Sequence, residues 1–217
     1  MRLSALSLAV ASLLVTAGVS QAATIVYTDA STAFTVSHTD LLQTQLASVA
    51  FGGTIGNLQE GTPSTAALID GAYGAIGVSG GTIPGATAAF TGSSATYTLD
   101  TSINTTGYDL TEIDIYSGWA DAGRDGMNVT VSYATVADPL TYIPIGTATD
   151  NTFADGTQHK AAITGFTATG VQSVRFDFGA QENGWVGYHE LDVIGVPEPA
   201  SLGLLGLAGL ALLRRRK

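Results

Sequence analysis

Val174-Arg175-Phe176-Asp177-Phe178 decides the fold. Apolar and polar residues alternate strictly, which on an extended chain places three apolar side chains on one face and two charges on the other. The same period recurs on either side. Ile113 and Ile115 are set to face inward while Glu112, Asp114 and Tyr116 face out. Val129, Val131 and Tyr133 alternate with Asn128, Thr130 and Ser132, and Leu191 and Val193 flank Asp192. One-sided alternation belongs to antiparallel sheets with one face on a core. The spacing therefore predicts an all-β antiparallel sandwich of the jelly-roll kind.

The intervening segments agree. Asp138-Pro139, Asp155-Gly156 and Asn183-Gly184 are turn signals between strands. Leu41 to Val49 is the one segment that reads as a helix. There is no repeat of fixed period and no linker that would divide the middle of the chain. Cysteine is absent, which excludes disulfides, thiol catalysis and thiolate-bound zinc.

The two ends read differently. Met1 to Ala22 has a basic Arg2, an apolar stretch and a small-x-small site at Ser20-Gln21-Ala22, the pattern of a secretory signal peptide handled by the Sec translocon. The mature chain is expected to begin at Ala23. At the other end, Pro197-Glu198-Pro199 precedes an uncharged apolar run, Ala200 to Leu213, and the cluster Arg214-Arg215-Arg216-Lys217. As a helix, 14 residues cover about 21 Å, against roughly 30 Å of bilayer hydrocarbon. This is a short transmembrane helix with a cytoplasmic basic stop.

Val196 to Lys217 resembles the PEP-CTERM sorting signal of Gram-negative bacteria in all three of its parts. The resemblance implies recognition by an exosortase, a membrane-embedded peptidase, with processing near Pro197, Glu198 and Pro199. It implies transient anchoring in the inner membrane, with Arg214, Arg215 and Arg216 as the stop. The final destination is then the cell surface or matrix of a species that makes exopolysaccharide. The chain thus divides into a signal peptide (1–22), a β domain (23–195) and a sorting signal (196–217).

The β domain resembles the discoidin or galactose-binding-like jelly roll from about Phe51 to Gly195. The resemblance rests on Leu68-Ile69-Asp70-Gly71-Ala72-Tyr73-Gly74, Ala95 to Asp100, Leu110 to Asp121, Asn128 to Ala134, Val171 to Gly179 and Gly187 to Gly195, in that order. It implies a structural Ca²⁺ held by Asp70 and Glu190 with loop carbonyls. The residues alone read equally as a turn aspartate before Gly71 and a solvated strand glutamate.

A sugar site needs a flat aromatic with polar groups beside it. Trp119 with Asp121, Arg124 and Asp125 offers one, and Trp185 with Glu182, Asn183 and His189 another. The alternative is that both tryptophans pack the ends of the sandwich.

Within residues 23–195 only Arg124, Lys160 and Arg175 oppose 17 acidic residues. That balance argues against nucleic acid as a partner. His38, His159 and His189 lack metal-site spacing, and no nucleophile elbow or phosphate loop is present. The sequence reading is an exported, non-enzymatic binding or structural protein with exopolysaccharide as its expected partner. A secreted glycan hydrolase and a ligand-free matrix element are the alternatives.

Overall fold

The computed structural model describes residues 22–56, 65–75, 85–119, 123–150, 157–180 and 184–197. The signal peptide and the apolar tail lie outside these residues. Among the described residues no helix is long and apolar enough to cross a membrane.

Among the described residues ten strands follow in order: β1 Thr24–Ala30, β2 Leu46–Gly52, β3 Ile55–Gly56, β4 Thr87–Phe90, β5 Ser94–Leu99, β6 Tyr108–Gly118, β7 Met127–Thr135, β8 Ile143–Asp150, β9 Gln158–Phe178 and β10 Trp185–Pro197. All pairings are antiparallel. Strand β9 belongs to both layers. Its first part pairs with β1 and β6, completing a layer in the order β3-β4-β10-β6-β9-β1. Its last part pairs with β5 and β7, completing a second layer in the order β2-β5-β9-β7-β8. The change of layer falls between Gly165 (φ +73°) and Gly170 (φ +62°), where side chains would be strained and glycine is not.

The alternating residues make the core. Ile113, Ile115, Val129, Val131, Ile163, Val174, Phe176, Leu191 and Val193 are all fully buried in one apolar cluster with Tyr97. At one flank the layers are tied by Tyr27, whose hydroxyl accepts from Thr149 N at 2.8 Å and donates to Thr149 O at 3.2 Å.

Two boundaries differ from the sequence reading. The expected helix over Leu41–Val49 is a single turn, α1 Leu41–Thr44, started by Asp40, whose Oδ1 accepts from Leu42 N at 2.8 Å. From Leu46 the chain is a strand, because β5 offers it a partner across Ser48–Gly52; pairing outweighs local propensity. The domain also runs past Gly195, since Val196 pairs with Asp109 and Pro197 with Tyr108.

The outer face of the first layer is covered. Residues 34–45 and a 3-10 turn at Thr65–Ile69 lie across it, and Phe34, Val36, Tyr73 and Tyr116 pack there. Asp114, Tyr116 and Asp192 point outward as the alternation requires, yet all three are buried beneath this strap.

Candidate functional site

One end of the sandwich carries the β6–β7, β8–β9 and β9–β10 connections. Strand β1 ends there, β6 ends at Gly118, and β7, β9 and β10 begin there at Met127, Gln158 and Trp185. Trp119 and Arg124 therefore share a rim with the start of β10, where Trp185 pairs through its backbone with Phe90. Strand β10 then runs 13 residues, about 43 Å at ~3.3 Å each, to Pro197 at the opposite end.

Trp119 is not an open platform. Its side chain is 2% exposed. The Arg124 guanidinium lies 5.4 Å from the ring centroid, and Ala86 packs against it. The Gly187 backbone closes the approach: a Cβ there would sit 2.7 Å from Trp119 Cζ3 and 2.8 Å from Gly118 O. Gly187 N also donates to Arg124 O at 3.0 Å. Of the two expected roles, packing the end of the sandwich is the one the structure gives this residue. Arg124 is part of the same packing.

Behind the rim, β10 carries a bulge. Pairing passes from Tyr188↔Ser117 to Glu190↔Tyr116, leaving His189 as the extra residue. His189 and Glu190 consequently both engage the covering loop. His189 Nδ1 donates to Tyr73 O at 2.7 Å, and the two rings stack at 4.2 Å. Burial pushes the imidazole down to about 4, so it is neutral. The Tyr73 hydroxyl donates to Gln158 Oε1 at 2.8 Å. His159 sits 3.2 Å from Asp29 Oδ1 and 3.8 Å from Asp125 Oδ2. This polar set was not legible in sequence, because its members come from five separated segments.

Glu190 is fully buried. Its Oε1 accepts from Gly71 N at 3.1 Å and from Gln43 Nε2 at 3.0 Å, while Oε2 has no hydrogen-bond partner among the described residues. Burial pushes the carboxyl up to about 9, and Asp192 and Asp70 add to the shift. Asp70 itself is exposed, and its Oδ1 accepts from Ala72 N at 2.9 Å as in an ordinary turn.

Asp70 is thus near enough to Glu190 for its charge to act on that carboxyl. The orphaned Oε2 is an atom a cation would satisfy. Gln43, turned about its amide, would present an oxygen in place of its NH₂. Calcium wants six to eight oxygens, and among the described residues no group of three acidic or histidine side chains is arranged to hold a metal. Carbonyls and water would have to supply the rest.

Beside Glu190 lies a second acidic set. The Tyr116 hydroxyl is 3.2 Å from Asp192 Oδ2 and 3.3 Å from Asp114 Oδ2. One phenolic proton cannot serve both as a full hydrogen bond. Burial raises each carboxyl to about 6, even with Lys160 Nζ 2.7 Å from Asp114. Asp192 Oδ2 also accepts from Ser37 N at 2.9 Å, and Asp40 Oδ1 takes Val193 N at 3.4 Å. These contacts latch the strap onto the sheet.

Residues 195–217 match the PEP-CTERM protein-sorting motif. No curated protein matches the chain. Among solved structures, the CBM32-1, CBM32-2 and M60 catalytic domains of Clostridium perfringens ZmpB align over 88% of this chain and 18% of that one, at 11% identity and a TM-score of 0.50. A pectin binding carbohydrate binding module aligns over 69% of this chain and 90% of its own length, at 15% identity and a TM-score of 0.44. An F5/8 type C domain from Bacteroides fragilis aligns over 59% and 78%, at 12% identity and 0.42. The first of these, at a TM-score of 0.50, speaks to the fold alone. The chain is therefore an antiparallel β-sandwich, similar in fold to the CBM32-containing chain of ZmpB, that carries a PEP-CTERM protein-sorting motif, the mark of an exported protein sorted to the cell surface.

Proposed function

We propose that the protein is a non-catalytic glycan-binding element of the surface matrix, released into or held in exopolysaccharide after exosortase processing. The observation that carries this reading is the direction of β10, which starts at the loop rim and ends at the sorting motif. A chain held by its C-terminal tail would turn that rim away from the membrane and toward the matrix. The structural neighbours include a pectin binding module and CBM32 domains in complex with GalNAc, which supports a sugar as the ligand class. With Trp119 packed away, the start of β10 around Trp185 is the favoured contact. Calcium, bound through Asp70, Glu190 and Gln43, would fix the covering loop rather than perform chemistry.

The test is retention of the exported protein on exopolysaccharide purified from its own host, set beside neutral and uronic-acid polymers. Retention displaced by soluble glycan supports the reading. No retention on any glycan, with the protein abundant in the matrix, leaves a purely structural role. Hydrolysis of any of these polymers would restore the enzyme alternative.

A further inference from the structure

Among the described residues strand β2 is an unprotected sheet edge, and we propose that it pairs with β2 of a second copy of this chain. The edge strands of a sandwich expose unpaired backbone groups and are normally blunted by proline, charge, shortness or a cover. The other described edges carry these devices. Strand β8 contains Pro144 and ends in Asp150, β1 contains Asp29 and is stitched to β8 through Tyr27, and β3 is two residues long. Strand β2, Leu46-Ala47-Ser48-Val49-Ala50-Phe51-Gly52, has none of them beyond an irregularity near Ala47. Its residues 47–51 are exposed, and Val49 and Phe51 are each 39% exposed despite lying on the core side with Tyr97.

The occupant follows from charge and symmetry. The domain sets three cations against 17 acidic residues, so two copies repel over most of their surface. From Leu41 to Gln59 the chain carries no charge at all, so the edge itself adds no like-charge repulsion between copies. Antiparallel pairing about a two-fold axis through Ala50 is self-complementary. It places Ser48 opposite Gly52 and Val49 opposite Phe51 of the second copy, and the latter is an aromatic against a β-branched side chain, a favourable cross-strand pair. The five-stranded layers of two molecules then become one continuous sheet. Such a dimer presents two loop rims, which multiplies the retention of a weak binder.

Sedimentation of the exported protein reads this directly. A dimer is expected that tightens as salt screens the net charge, and Ala50→Lys should weaken association about tenfold or more by setting like charges face to face. The chain has no cysteine, so Ala50→Cys is a clean second probe. Paired Cα atoms in an antiparallel ladder lie about 4.5–5.5 Å apart, within disulfide range. Oxidation should link Ala50→Cys into a dimer while Thr147→Cys, on exposed β8, stays monomeric. A protein that remains monomeric up to its solubility limit overturns the proposal. So does an Ala50→Cys variant that cross-links no faster than Thr147→Cys. Either result leaves glycan retention untouched.

Discussion

Gly71 donates its backbone N–H to Glu190 Oε1 at 3.1 Å, tying the loop after the 3-10 turn to the bulge of β10. The contact joins two segments 119 residues apart and fixes a carboxyl group under the strap.

That carboxyl makes stability depend on pH in an unusual direction. Glu190 is raised to about 9, and Asp114 and Asp192 to about 6. Between the unfolded values and these, the folded chain holds protons that the unfolded chain has lost. Stability from these groups is therefore fullest below about pH 4 and falls as pH rises, through 6 for the aspartates and 9 for Glu190. Without added metal, the thermal midpoint should drop between pH 5 and pH 9. Glu190→Gln, which keeps the neutral form, should flatten the slope above pH 6. A midpoint that rises across this range would contradict the assignment.

Calcium would compete with that proton. If Asp70 and Glu190 hold the ion, millimolar Ca²⁺ raises the midpoint more at pH 9 than at pH 6, since binding to the folded state must stabilise it. Glu190→Gln should abolish the increment. Equal melts with Ca²⁺ and with EDTA at both pH values would remove the metal from the proposal.

Gly187 is a steric requirement rather than a hinge. A methyl group there meets Trp119 and the Gly118 carbonyl, both held in place by packing. Gly187→Ala should cost roughly 1–3 kcal/mol by overpacking, read as a lower denaturation midpoint with unchanged slope.

The two tryptophans should separate by phenotype. Trp119→Ala removes a buried ring and should cost about 3–5 kcal/mol, losing glycan retention only through loss of fold. Trp185→Ala should lower the glycan retention of the folded protein about tenfold. Full retention by folded Trp185→Ala would move the binding face elsewhere.

Much of the sandwich was readable in the alternation, because Ile113, Ile115, Val129, Val131, Val174, Phe176, Leu191 and Val193 each face a core on one side only. The path of β9 was less so. Its alternation passes through Gly165 and Gly170, and nothing local says that one strand serves two layers. Helix propensity over Leu41–Val49 misled because the partner that makes Ser48–Gly52 a strand, β5, is remote in sequence. Asp114, Glu190 and Asp192 read as solvated, since period two fixes which way a side chain points but not whether a strap lies over it. The proximity of Asp70 and Glu190 came from resemblance, not from periodicity.

Strand β10 sits between β4 and β6 in the middle of its layer, yet it is the last strand to be made. Gly195, Val196 and Pro197 belong at once to that strand and to the sorting motif. Until β10 has emerged from the membrane, β4 and β6 lack their shared neighbour and the layer stays split. Completion of the fold therefore needs the residues that lead into the sorting motif. A chain cut short before Trp185 would expose two open ladders, a state that invites aggregation, so the sorting motif is reached only by a molecule that can close.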